Sequence, residues 1–307
     1  MTAAALVAAA IFAWFIQRGF SEHEHSFSPQ FADIHNTTGT LLFQQNRPEE
    51  AIPQFQRALE LEPGHAEAAN NLGNVLLQQG RWDEAMDSYR KALTLRPRYS
   101  DALNNIGLAL LQKARLDEAI GHFLAALDYR PDYADAHNNL GSALMRKNRF
   151  VEAIPHFEAA LALNSSIGQA QHNLALSHFS LGHVQEALTH YEAAIKLNPG
   201  QVGSINNLAW LLATTEDAQL RNGARALELA RQADSLTSGQ DATILHTLAA
   251  ALAENGQFAE AATLAERARR IAVTAANETL ATVIGEQIQV YQAGRPWREK
   301  APERQAP

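Results

Sequence analysis

Residues 66–99 read AEAANNLGNVLLQQGRWDEAMDSYRKALTLRPRY, and residues 100–133 read SDALNNIGLALLQKARLDEAIGHFLAALDYRPDY. Aligned, the two 34-residue stretches place the same kinds of residue at the same positions: Gly73 over Gly107, Ala85 over Ala119, Tyr89 over Phe123, Ala92 over Ala126 and Pro97 over Pro131. The pattern runs outward in both directions. Gly39 and Gly141 share the glycine register, which Ala175 and Ala209 continue. Ala51, Ala153 and Ala187 share the first alanine, Phe55, Phe157 and Tyr191 the aromatic, and Ala58, Ala160 and Ala194 the second alanine. Pro63 and Pro199 close their units as Pro97 and Pro131 do, while Ser165 stands where a further proline is expected.

Each period reads as two helices. Ala68, Leu72, Val75 and Leu76 recur at the spacing of one helical face. A glycine or alanine in the first helix lets the second approach closely, and the aromatic is expected to fill the space between neighbouring units. Asn46, Gly80, Asn148, Gly182 and Gly256 fall between the helices, where a left-handed C-cap favours Gly or Asn. Ala114 departs from that rule. Proline after the second helix stops it. Pro53 and Pro155 are placed near the starts of second helices, where a missing N–H costs little. A single helix pair cannot bury its apolar face alone, so the units must stack.

The period and its small/large pattern resemble the tetratricopeptide repeat (TPR) family. The resemblance implies an all-α fold, a right-handed α-solenoid of about seven TPR helix-turn-helix repeats with a C-terminal capping helix and an N-terminal apolar helix. The units are read as 32–65, 66–99, 100–133, 134–167, 168–201, 202–238 and 242–272. They follow an apolar segment at 1–20 and a linker at 21–31, and precede a capping helix within 273–292 and a disordered tail at 293–307. The sixth unit carries an insertion, Ala213 to Gly223, read as a longer inter-helix loop.

In the family, first helices line a concave groove. Its fifth and sixth unit positions fall here on Asn70 and Asn71, Asn104 and Asn105, Asn138 and Asn139, His172 and Asn173, and Asn206 and Asn207, with Asn74 three residues further on in its unit. This series is similar to the asparagine ladder in the TPR region of O-linked N-acetylglucosamine transferase, and the resemblance implies a peptide-binding groove. An Asn amide offers a donor and an acceptor, and so does each peptide unit. Leu77, Leu111, Met145, Phe179 and Trp210 would supply side-chain preference. The second position carries Asp33, Glu67, Asp101 and Asp135, carboxylates that oppose an acidic guest. Neutral or basic extended segments of proteins or peptides are the expected partners.

The formal net charge is -8, and no long basic run appears, so the footprint of a nucleic-acid binder is missing. The chain has no cysteine. No Walker loop, dinucleotide fingerprint, nucleophile elbow or HExxH appears. No catalytic activity, cofactor or metal is therefore expected. His23 and His25 flank Glu24 as a weak metal candidate, since closed sites need about four ligands. In the fifth unit His178 takes a core register, and His172, His183 and His190 read as polar surface. Ala3 to Ile16 is an uncharged apolar run followed by Arg18. It reads as a membrane anchor of undetermined side at the envelope. The rivals are a signal peptide cleaved to leave a periplasmic protein, and the last span of a longer membrane protein. The leading functional expectation is a non-enzymatic scaffold for protein partners. The alternatives are the accessory TPR region of a membrane-embedded glycosyltransferase-type enzyme or complex, and a homo-oligomer formed by stacking of arrays.

Overall fold

A computed structural model describes residues 24–299, with side chains described from residue 29. Fifteen α-helices run through these residues. The chain divides into two compact units at Pro131/Asp132. The first holds α1 (Glu24–Gln44), α2 (Pro48–Leu61), α3 (Ala66–Gln78), α4 (Trp82–Leu95), α5 (Ser100–Gln112) and α6 (Leu116–Tyr129). The second holds α7 (Ala134–Arg146), α8 (Phe150–Leu163), α9 (Gly168–Ser180), α10 (Val184–Leu197), α11 (Val202–Thr214), α12 (Gly223–Leu236), α13 (Ala242–Glu254), α14 (Phe258–Thr274) and α15 (Glu278–Gln292). Within each compact unit, consecutive helices pack as antiparallel pairs, and first helices also touch across pairs, α1 with α3, α3 with α5, α7 with α9, α11 with α13 and α13 with α15. This is the TPR α-solenoid arrangement. The apolar run at Ala3–Ile16 lies outside the described residues. Among the described residues no helix is long and apolar enough to cross a membrane.

Contacts at the glycine register explain the 34-residue period. A Cβ built on Gly73 would lie 2.4 Å from the Tyr89 ring, and one on Gly107 2.5 Å from the Phe123 ring. Gly39 against Phe55 and Gly141 against Phe157 repeat the contact at 2.8 Å. The aromatic thus lies on the glycine of its own helix pair, where the sequence reading had it fill the gap between pairs. Sixteen residues separate the two partners, the distance from mid-first helix round the turn to mid-second helix. The three aromatics Phe55, Phe123 and Phe157 are fully buried, as are the alanines that flank them. In the last two pairs the exchange is reversed: Ala209 and Ala249 replace the glycine, and Ala230 and Ala265 replace the aromatic.

Six of the seven turns between paired helices pass through one left-handed residue, and the longer loop of the sixth pair has none. Asn46, Ala114 and Asn148 have φ of 58°, 56° and 58°, and Gly80, Gly182 and Gly256 have φ of 74°, 77° and 77°. Ala114 adopts the conformation its neighbours reach with Gly or Asn, and so carries a Cβ where it is least tolerated. After each such turn in the first four pairs, an arginine precedes the second helix and forks onto a glutamate three residues on. Arg47–Glu50, Arg81–Glu84, Arg115–Glu118 and Arg149–Glu152 all close at 2.6 Å. Pro53 and Pro155 prove to be the sixth residues of α2 and α8. They lie beyond the first turn, so each deletes a bond that an N–H there would make.

The insertion in the sixth pair is a loop over 215–222, flanked by α11 and α12. Its chain returns through Asn222 N, which donates to Leu212 O at 3.0 Å. Of the tail expected to be disordered from Ala293, residues 300–307 lie outside the described residues and the part before them is placed. Arg295–Glu299 lies against this loop: Glu299 N donates to Thr214 O at 2.8 Å, and Arg298 Nη1 meets the Glu254 carboxylate at 2.7 Å. Glu254 also meets Arg221 of the loop at 3.2 Å. Thr215 and Glu299 form an isolated parallel β-bridge. Polar composition alone argued for disorder there. Partners 85 residues back in the chain supply the order.

Candidate peptide-binding face

The Asn series sits on the first helices as expected, and its amides bond to one another. Asn71 Nδ2 donates to Asn36 Oδ1 at 3.0 Å and to Thr40 Oγ1 at 3.4 Å. One period later, Asn105 Nδ2 donates to Asn70 Oδ1 at 3.1 Å and to Asn74 Oδ1 at 2.9 Å. The sixth-position amide therefore clasps the fifth and ninth positions of the preceding pair. Tyr89, the aromatic of the glycine contact, adds its hydroxyl to Asn74 Oδ1 at 3.0 Å. Asn104 Nδ2 donates to Asn105 Oδ1 at 3.3 Å.

In the second compact unit the clasp follows whatever stands at the ninth position. Asn173 Nδ2 finds Ser142 Oγ at 3.1 Å, and its own Oδ1 accepts from Gln169 Nε2 at 2.9 Å. The next ninth position is Leu176, which offers no acceptor, and Asn207 Nδ2 turns to the Tyr191 hydroxyl at 3.1 Å. His172 meets Ser204 Oγ at 2.8 Å. Asn138 and Asn139 are half-buried on α7, and Asn206 is buried on α11 with a long contact of 3.5 Å to Asn207. The Oδ1 atoms of Asn138 and Asn206 have no hydrogen-bond partner. Asn36 and Thr40 were absent from the sequence reading, although subtracting one period from Asn70 and Asn74 finds both. Adding two periods to Asn74 finds the Ser142 acceptor as well, whereas the Tyr191 hydroxyl, on a second helix, falls outside that register.

Three of the four second-position carboxylates have a partner. Asp33 meets His65 at 3.1 Å, Glu67 meets Arg96 at 3.1 Å and Asp101 meets Arg130 at 2.7 Å. The partners sit just beyond the second helix of the pair, where sequence reading saw only a proline-marked loop. Glu67 and Asp101 are thus held in ion pairs, and their repulsion of acidic guests is correspondingly weaker, while Asp135 makes no ion pair among the described residues.

Among the apolar candidates Leu111 is buried, and Leu77, Met145, Phe179 and Trp210 are half-buried. Phe179 and Trp210 pack on the core of the second compact unit. Trp210 lies 4.6 Å from the ring of His246, which occupies the fifth position of the seventh pair. Burial pushes the His246 imidazole down to about 4, with Gln287 pulling it back in part. Burial likewise raises the Tyr191 hydroxyl to about 12.

The histidines of the fifth pair gather rather than spread over the surface. His178 stacks on His190 at 5.4 Å and approaches His183 at 3.4 Å between Nδ1 atoms, while His190 bonds to Gln171 at 2.8 Å. Among the described residues no group of three or more His, Asp or Glu side chains is placed to hold a metal ion. The side chains of His23, Glu24 and His25 lie outside the described residues.

Family models described as tetratricopeptide repeat match residues 36–100 and 104–166, 168–201 and 242–278, more than half of the chain. The chain belongs to the tetratricopeptide repeat family. The unmatched TPR unit is the sixth, the one that carries the insertion. The solved structure of PilF from Pseudomonas aeruginosa is similar at 24% identity and a TM-score of 0.62, covering 69% of this chain and 94% of that one. A chain of the APC/C hetero-tetramer Cut9–Hcn1 is similar at 17% identity and a TM-score of 0.63, covering 73% of this chain and 43% of that one. At these identities the likeness is one of TPR fold. No match to a curated protein is found. At this level the molecule is a TPR scaffold of the kind that serves protein–protein interaction.

Proposed function

We propose that the protein is a non-enzymatic scaffold that holds an extended polypeptide segment along its first helices. The supporting observation is the clasped asparagine series. Clasping fixes each amide plane by using Nδ2 at the sixth position and Oδ1 at the fifth and ninth, so Asn71 keeps its acceptor for a guest and Asn70 and Asn74 keep their Nδ2 donors. Among the described residues Asn71 Oδ1 takes no hydrogen bond. A fixed acceptor suits the N–H groups of an extended chain, and within the second compact unit Met145, Phe179 and Trp210 would meet side chains of a guest. Neutral or basic segments fit a molecule of net charge -8. The apolar run at Ala3–Ile16 supports a place at the envelope, to be tested by fractionation.

An alanine at Asn105 would remove the clasp as well as the contact, so binding must be read another way. Hydrogen exchange of the full chain, alone and with a pool of unstructured neutral and basic peptides, does so. Added protection is expected on α1, α3 and α5 of the first compact unit and on α7, α9 and α11 of the second. Protection confined to second helices, or none at saturating peptide, would overturn the reading.

A further inference from the structure

A cleft of about 350 Å3 lies between α12, α13 and α14, away from the asparagine series. Leu248 and Leu252 of α13 and Leu264 of α14 give it an apolar lining. Arg231 of α12 and Arg267 and Arg270 of α14 also line it, against one carboxylate, Glu260. Arg267 is moored by a 2.6 Å bond from Nη2 to Gly239 O. Arg231 and Arg270 are exposed, and neither guanidinium takes an ion pair among the described residues.

That sets them apart from the arginines that open second helices. Arg47, Arg81, Arg115, Arg149 and Arg225 each spend their charge on a glutamate three residues on. Register sets the cleft apart too. Counted from the first alanine of the second helix, Arg231 is five residues on, and Arg267 and Arg270 are six and nine residues on in the following pair. The same positions in earlier neighbouring pairs read Gln56, Lys91 and Thr94, or Arg90, Ala125 and Asp128, or Leu124, Ala159 and Ala162, or Glu158, Ala193 and Lys196, or Glu192, Gln232 and Ser235. Three arginines converge at the sixth and seventh pairs within a chain whose net charge is -8.

We propose that this cleft is a second recognition site, one that takes a short segment of a protein partner in which a leucine-like side chain adjoins a carboxylate. The aliphatic side chain covers Leu248, Leu252 and Leu264. Its neighbouring carboxylate accepts from the planar forks of Arg231 and Arg270, a geometry that guanidinium matches and ammonium does not. The volume is at the lower end of the range for ligand sites, roughly 300–1000 Å3, which suits a few side chains. The charge preference is opposite to that of the first-helix face, and the site stands whether or not that face holds a guest.

The test is fluorescence anisotropy of the full chain with a fluorescein-labelled heptapeptide, Ser-Asp-Leu-Glu-Leu-Asp-Ser. Companion peptides replace its leucines by glycine or its acids by lysine. Saturable binding is expected for the first peptide only, weakening as salt is raised. The double variant Arg231→Glu/Arg270→Glu, with helicity checked by circular dichroism, should weaken it at least tenfold, and Arg225→Glu should leave it unchanged. Equal affinity in the double variant, or equal affinity for the glycine peptide, would overturn the proposal. So would capture by phosphatidylserine vesicles, lost in the double variant, without any peptide binding.

Discussion

At Gly107 a hydrogen stands where 2.5 Å would separate a methyl carbon from the Phe123 ring. Alanine is the better helix former by about 1 kcal/mol, so helix propensity favours the exchange. Packing opposes it, because forcing a methyl into a filled core costs typically 1–3 kcal/mol. Gly107→Ala is therefore expected to lower stability by up to about 2 kcal/mol, and Phe123→Leu in the same chain to recover part of the loss; urea unfolding of the single and double variants measures both. A stabilised single variant would mean the ring yields freely. His246 gives a second residue-scale expectation. Its imidazole is neutral in the folded chain down to about pH 4 and titrates near 6.5 when unfolded. Above pH 6.5 both states are neutral and this contribution to stability is whole. As pH falls from there, the unfolded chain takes up a proton first and stability declines, by about 2 kcal/mol at pH 5. Burial also lowers His156, His172, His178 and His190, which act in the same direction. His246→Phe should show a smaller drop in unfolding midpoint between pH 7.5 and pH 5 than the parent chain, and an identical drop would discount its role.

Among the elements, the loop over 215–222 and the segment Arg295–Glu299 depend on each other. Glu254 is 13% exposed and faces Arg221 from the loop and Arg298 from the tail. A largely buried carboxylate flanked by two cations is costly to strip of either one. Ending the chain at Gly294 should therefore speed hydrogen exchange over 215–222 by tenfold or more and leave α1–α6 unchanged. Unaltered exchange in the loop would show that the tail merely lies against it. The same pair of elements marks where sequence reading stopped. Period, glycine, aromatic and alanine registers gave the helix pairs, because each depends on residues at most one period apart. The loop was visible as an insertion. Its partner was not, because residues 295–299 have no repeat register and their contacts reach back through α11 and α13.

Across the molecule, packing runs between elements close in sequence, so stability is the sum of pair and neighbour terms that characterises repeat arrays. This is why the fold could be read from one period copied along the chain. The candidate face was legible in position and not in wiring. The sequence shows asparagines on first helices, and the spacing of 34 shows that they form a column. It does not show that Asn71 and Asn105 bond to the preceding pair, since that depends on amide reach across a helix interface. The paired state of Glu67 and Asp101 was hidden for a similar reason, as Arg96 and Arg130 lie 29 residues away beyond another helix.

The clasp also sets conditions on how such an array can lengthen or shorten. Duplicating or excising one cassette keeps every internal contact, but it creates a new joint. A sixth-position asparagine fits downstream of a cassette whose ninth residue is Thr40, Asn74 or Ser142, and loses that acceptor behind Leu108 or Leu176. Recombination in frame would thus keep the hydrogen bond at some seams and lose it at others.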